Sequence, residues 1–121
     1  MNKDKILLVD DEESILKAIG KRLRKMGHEV VAARDGMEAW ECFDPEQFDL
    51  VITDFRMPRM DGLELLKRVK GRDGSFPVMV ITGTASHNPE AFLENGANGC
   101  LLKPVSKADL MEGLRKVLPA M

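Results

Sequence analysis

The stretch Leu50-Val-Ile-Thr-Asp54-Phe-Arg-Met-Pro58 decides how the rest of the chain is read. Four residues of mostly apolar, strand-forming character end in one carboxylate, and a proline four residues later stops any further strand. A buried run that delivers an acid to its own C-terminal end and then turns is what a fixed nucleophile requires. Two more acids close the first such run, Ile6-Leu-Leu-Val-Asp10-Asp11, and a lysine before proline closes the last, Cys100-Leu-Leu-Lys103-Pro104. Laid side by side and parallel, these strands bring three carboxylates and one ammonium to one edge of a sheet.

Outward from that stretch, strands and helices alternate. Ile6 to Val9 is a continuous apolar run, the pattern of a strand covered on both faces. Asp11-Glu12-Glu13-Ser14 suits a helix N-terminus, where acids meet the positive end of the dipole. Ile15, Ala18, Ile19, Leu23 and Met26 follow as the inner face, and Gly27 ends the helix. Glu29 to Ala33 is a second strand, Asp35-Gly36 a turn, and Met37, Ala39, Trp40 and Phe43 a short second helix broken by Asp44-Pro45. The third strand, from Asp49 to Thr53, has Asp54 at its tip. Asp61-Gly62 precedes a third helix with Leu63, Leu66 and Val69 inward, ending near Gly71. Pro77 to Ile81 is the fourth strand, closed by Thr82-Gly83-Thr84. Pro89 opens a fourth helix through about Asn95. Cys100 to Leu102 is the fifth strand, and Ser106 caps a last helix facing inward through Leu110, Leu114 and Val117, with Pro119 as its stop. Crossovers this short make the sheet parallel.

The totals exclude several classes. With 121 residues, 44% apolar and 31% charged, the chain reads as one folded domain over residues 1–121. No run reaches the roughly 20 apolar residues a spanning helix needs, and the N-terminus enters a strand with no leader-like segment, so a cytoplasmic location is the default. A net charge of −2 with both signs mixed predicts no direct nucleic-acid binding. Cys42 and Cys100 lie too far apart in sequence for a C-x-x-C pair, so both read as small buried hydrophobes. His28, after Gly27, reads as exposed; His87 sits in a polar loop with no second His or Cys near it. Met37, Met79, Met111 and Trp40 read as packing residues.

Two or three carboxylates in one pocket repel, raising at least one pKa unless a cation intervenes. A hard cation that takes few protein oxygens and keeps its waters is Mg²⁺, for which Mn²⁺ can substitute. Rival local readings are a turn-forming Asp54, an Asp10 that caps the first helix, and Glu12 and Glu13 as helix-terminal charges.

Val9-Asp10-Asp11-Glu12, Asp54-x-x-Met57-Pro58 with Asp61-Gly62, Thr82, and Lys103-Pro104 occur in that order along the chain. Each is weak alone. Together they resemble the receiver domain of two-component response regulators. The resemblance implies an α/β, flavodoxin-like, doubly wound (βα)5 fold with strand order 2-1-3-4-5, which periodicity cannot supply. It implies that Asp54 accepts a phosphoryl group from a histidine kinase or phosphotransfer protein, with Mg²⁺ held by Asp11, Asp54 and the backbone carbonyl of Arg56, and by Asp10 through water. Lys103 neutralises the phosphoryl charge, Thr82 hydrogen-bonds the group once it arrives, and the Lys103-Pro104 bond is cis. Arg56 and Thr84 tune the phosphoryl lifetime, and Gly83 leaves the pocket open. A domain of this kind catalyses only its own phosphorylation and dephosphorylation. It signals through the surface of its fourth helix, fifth strand and fifth helix, to a partner or an effector domain not present here, and can pair with a second copy through that surface.

One position departs from the family pattern. Where its members usually carry a Tyr or Phe that follows the threonine, this chain has Cys100, and it has no Tyr anywhere. The segment from Thr82 to Lys103 is also compressed, which predicts a short fourth helix. Both point to a muted or rewired output surface beside intact phosphoryl chemistry. Two other functions fit the outline less well. A flavin-binding electron carrier would need a phosphate-cradling loop after the first strand, where this chain has two acids. A degenerate receiver would serve only as a protein-binding module.

Overall fold

Five strands and five helices alternate in the computed structural model, which describes residues 4–83 and 89–118. Strands β1 (Lys5–Val9), β2 (Glu29–Ala33), β3 (Leu50–Asp54), β4 (Val78–Thr82) and β5 (Gly99–Leu102) form one parallel sheet in the order β2-β1-β3-β4-β5. Helices α1 (Glu13–Lys25), α2 (Gly36–Cys42), α3 (Gly62–Arg72), α4 (Pro89–Glu94) and α5 (Lys107–Val117) connect and follow them. This is the flavodoxin-like, doubly wound arrangement, and α4 is short. Among the described residues no helix is long and apolar enough to cross a membrane.

Strand alternation divides the core in two. Ile6, Leu8, Leu50, Ile52, Met79 and Ile81 point toward α1 and α5, where they pack with Leu16, Ile19, Leu23, Leu110 and Leu114. Leu7, Val9, Val51, Val78 and Val80 point the other way, toward Ala39, Leu65, Leu66, Val69 and Phe92 of α2, α3 and α4. All the central strands are thus covered on both faces, which is why they read as unbroken apolar runs.

The starts of α2, α3 and α5 are set by side-chain caps. Asp35 accepts from the Glu38 N–H, Asp61 from the Glu64 N–H, and Ser106 forms a reciprocal capping box with Asp109. Gly27, at φ +98°, turns the chain out of α1, and the His28 N–H returns to the Leu23 carbonyl at 3.1 Å.

Several side chains sit elsewhere than their sequence context predicts. The buried face of α1 is Leu16, Ile19, Gly20 and Leu23, while Ala18 is exposed. A step of about 100° per residue explains it: residues at i, i+3, i+4 and i+7 share a face, and Ala18 lies off it. His28 is buried, at 7% exposure, because the reversal at Gly27 folds it back beside Asp4, whose carboxylate lies 3.7 Å from its Nδ1. Cys42 is exposed on the outer side of α2, and Cys100 on the edge strand is half-buried. Met111, next to the inward Leu110, is turned outward at 42% exposure, whereas Met79 is fully buried. Trp40 packs against Phe43 with ring centroids 6.0 Å apart. Strand ends shift by a residue: β3 begins at Leu50, β4 runs on to Thr82, and β5 begins at Gly99. His87 and Pro119 lie outside the described residues.

Candidate functional site

Parallel register builds the site. Val9 pairs with Thr53, so Asp10 and Asp54 each stand one position beyond a matched pair, at the same sheet edge. Asp54 pairs with Ile81 and Thr82 with Leu102, which brings Thr82 and Lys103 to that edge as well. The edge lies at the switch point between β1 and β3, where open parallel sheets place ligands.

One carboxylate oxygen each of Asp10, Asp11 and Asp54 lie within 4.8 Å of one another. The acids that the sequence puts on separate strands therefore share one cluster. Lys103 Nζ is 3.1 Å from Asp10 Oδ2, 3.2 Å from Asp54 Oδ1 and 3.9 Å from Glu12 Oε1. The other Asp10 oxygen accepts the Glu12 N–H at 2.9 Å, so this side chain both orders the entry to α1 and faces the lysine. Asp10, Asp54 and Thr82 are buried, while Asp11 is exposed at the mouth. Asp11, Glu12, Asp54, Arg56, Thr82, Gly83 and Lys103 line a cavity of about 290 Å³. An adjoining cleft is bordered by Asp11, Phe55, Arg56, Met57 and Asp61.

Backbone contacts hold Asp54 rigidly. Thr53 is fully buried and its hydroxyl donates to the Asp54 carbonyl at 2.9 Å. The Phe55 N–H bonds the Ile81 carbonyl at 2.9 Å, and the Gly62 N–H bonds the Phe55 carbonyl at 2.7 Å. Gly62 must lack a side chain here, since a Cβ would lie 2.2 Å from the Asp54 carbonyl oxygen. The loop between β3 and α3 is fixed further by Arg59, whose Nη2 lies 2.6 Å from Asp35 Oδ2.

The electrostatics follow from the crowding. Burial, and then the charge of Asp10, push the Asp54 carboxyl up to about 6 against the pull of Lys103. Burial also raises Asp10, outweighing its bonds to the Glu12 N–H and Lys103. Burial works against the charged lysine, but the Asp10 hydrogen bond and the charges of Asp54 and Asp10 leave Lys103 raised and protonated. Within the Asp10, Asp11 and Asp54 cluster three carboxylates crowd around the one ammonium of Lys103, an excess of negative charge. A divalent cation cancels that excess, and an all-oxygen donor set of carboxylates suits a hard ion such as Mg²⁺ or Mn²⁺. The residues present fit the metal that the sequence pattern implies.

Lys103-Pro104 is a cis peptide, and the Lys103 N–H bonds the Thr82 carbonyl at 2.8 Å. Cys100 is half-buried against the core cluster that contains Phe92. Thr84 lies outside the described residues. Sequence reasoning took Glu12 only as a helix-terminal charge. It makes no side-chain cap, and its carboxylate faces Lys103 instead. Its adjacency to the Asp10-Asp11 pair was the available signal.

A family model for the response regulator receiver domain matches residues 6–115. The alkaline phosphatase synthesis transcriptional regulatory protein PhoP of Bacillus subtilis is 34% identical over 119 residues, covering 98% of this chain and 49% of that protein. The probable transcriptional regulator ycf27 of Guillardia theta is 38% identical over 117 residues, covering 96% of this chain and 46% of its own length. The chain thus spans about half the length of these curated relatives. Among solved structures, a response regulator receiver domain protein from Clostridium thermocellum aligns with a TM-score of 0.89 at 32% identity, over 94% of this chain and 93% of that one. The chemotaxis protein CheY4 of Vibrio cholerae aligns with a TM-score of 0.86 at 34% identity, over 97% and 100%.

Proposed function

Because this chain belongs to the response regulator receiver domain family, we propose that it is a cytoplasmic phosphoacceptor switch with Asp54 as the acceptor. The observation that carries the reading is the meeting of Asp54, Asp11, Thr82 and Lys103 around one open cavity, with Asp10 against the lysine and in the same carboxylate cluster.

An Asp54 carboxylate oxygen attacks the phosphorus of a phosphohistidine on a kinase or phosphotransfer protein. The P–O bond forms as the P–N bond breaks, the imidazole leaves, and the product is an acyl phosphate. Lys103, held protonated, neutralises charge on the phosphoryl oxygens. Thr82 lines the same cavity and donates its hydroxyl to the transferred group. Asp11, Asp54 and the Arg56 backbone carbonyl would hold Mg²⁺, with Asp10 acting through water, and the bound ion would add positive charge beside the same oxygens. Gly83 leaves the entrance open, and Arg56 and Thr84 set how readily water reaches the acyl phosphate. The domain thus catalyses only its own phosphorylation and dephosphorylation.

Acetyl phosphate with Mg²⁺, followed by intact-mass measurement, tests the reading. The expected result is one phosphoryl adduct in the wild type, absent with chelator and absent in Asp54→Asn. An adduct that persists in Asp54→Asn, or a wild type that takes up none, would falsify it. The second outcome would leave a protein-binding module.

The output surface is the face of α4, β5 and α5. Leu93, Leu102 and Met111, one from each, are exposed at 50%, 54% and 42%, which supports docking of a partner, an effector domain or a second copy there. The relatives named as transcriptional regulators are about twice as long, which favours an output domain elsewhere in such proteins over direct nucleic-acid binding by this one. Cys100 offers no ring to follow Thr82, so the response of α4 to phosphorylation is muted. Beryllofluoride with Mg²⁺ should produce smaller NMR shift changes on α4 than in receivers with an aromatic residue at that position. Changes as large as theirs would refute the muting.

A further inference from the structure

Arg22 belongs to α1 and lies outside every motif recognised in the sequence. Its Nη1 nonetheless donates to the Val105 carbonyl at 2.6 Å, across 83 residues of chain. Val105 is two residues past Lys103 in the loop joining β5 to α5, and its side chain is partly buried against the α1 and α5 core. A long basic side chain on an amphipathic helix ordinarily sends its head group to water. This one is half-buried and committed to a single loop carbonyl, which costs it rotamer freedom.

Three restraints define that loop. The Lys103 N–H is bonded to the Thr82 carbonyl at its start, and the Ser106–Asp109 capping box fixes its end. Arg22 holds the middle. Lys103 is mostly buried, and its ammonium meets Asp10 and Asp54 at 3.1 and 3.2 Å. The helix that begins beside Asp10 and Asp11 therefore also carries the clamp for the lysine opposite them.

We propose that Arg22 is a positioning residue: by tying the β5–α5 loop to α1 it holds the Lys103 ammonium against Asp54. The proposal rests on Asp54 being the phosphoacceptor, while the tether itself can be read without any phosphoryl chemistry.

Arg22→Met keeps the aliphatic stem and removes the donors. In metal-free protein, NMR-detected hydrogen exchange at the Lys103 amide should quicken about tenfold on loss of a charged hydrogen bond, with Leu8 and Ile52 unchanged. An unaltered Lys103 amide would overturn the tether. Acetyl phosphate labelling should also slow about tenfold in Arg22→Met, yet slow no further when Arg22→Met is added to Lys103→Ala. Equal slowing in both backgrounds would mean that Arg22 acts by another route, and would overturn the proposal. A wild type that takes up no phosphoryl group counts against the acceptor reading instead, and amide exchange then decides the tether alone.

Discussion

Metal-free Asp54→Asn is expected to be more stable than the wild type at pH 8 by about 2 kcal/mol, an advantage that disappears below about pH 4. Burial and the Asp10 charge hold the Asp54 carboxyl at about 6, above the ordinary aspartate value of 3.8. A carboxyl raised in the folded state favours folding while it keeps its proton. That contribution is complete below the unfolded value and is lost as pH rises through the folded one. Above about pH 6 the wild type therefore carries an ionised acid in a site already rich in them. A rise from 3.8 to about 6 corresponds to about 3 kcal/mol, and relaxation around an open cavity reduces it to about 2 kcal/mol.

Asparagine has nearly the same shape and no charge, so it escapes the penalty. A divalent cation should relieve the same penalty in the wild type. Mg²⁺ at about 100 times its dissociation constant adds about 2.7 kcal/mol by mass action, most of which Asp54→Asn should forfeit. Urea denaturation at pH 4, 6 and 8, with chelator and then with Mg²⁺, measures both effects. Equal stability of the two proteins at pH 8 in chelator would show that the cluster is not electrostatically strained.

Gly62→Ala should be the most damaging single methyl in the chain. The new Cβ would stand 2.2 Å from the Asp54 carbonyl oxygen and 2.9 Å from the Phe55 Cα. Both are backbone atoms of a segment held by hydrogen bonds at the Asp54 carbonyl and at the Phe55 N–H and carbonyl, so neither can yield as a flexible side chain would. The cost should reach about 3 kcal/mol, at the upper end for overpacking. Thermal unfolding should fall by about 10 °C, and because the strain bears on Asp54, Mg²⁺ affinity should weaken with it. Gly71→Ala in the same helix is the control: nothing lies within 4 Å of its added Cβ, and it should gain about 0.5 kcal/mol from helix propensity. Similar melting temperatures for Gly62→Ala and the wild type would mean that α3 slides freely past β3.

Legibility in the sequence follows the range of the interaction. Helix and strand positions were readable to within a residue or two because their signals are local. Asp35, Asp61 and Ser106 cap the helices that follow them, and Gly27 marks a reversal. The acids and the lysine were readable because each closes a strand-like run. Side chains at the margins of the pattern were misread. Ala18 turned outward by the helical step, His28 folded inward after the glycine, and Cys42 stayed on the outer side of a short helix.

The sequence by itself determined the alternation of five strands and five helices and the residue types offered at the strand ends, since these depend on periodicity and turn chemistry within a few residues. Only the tertiary structure decided that Asp10, Asp54 and Lys103 touch, that Glu12 faces the lysine, and that Arg22 grips a carbonyl in the loop before α5. Those contacts depend on strand order and on register between parallel strands. Both are set by how whole faces pack, and no short window of sequence contains that information.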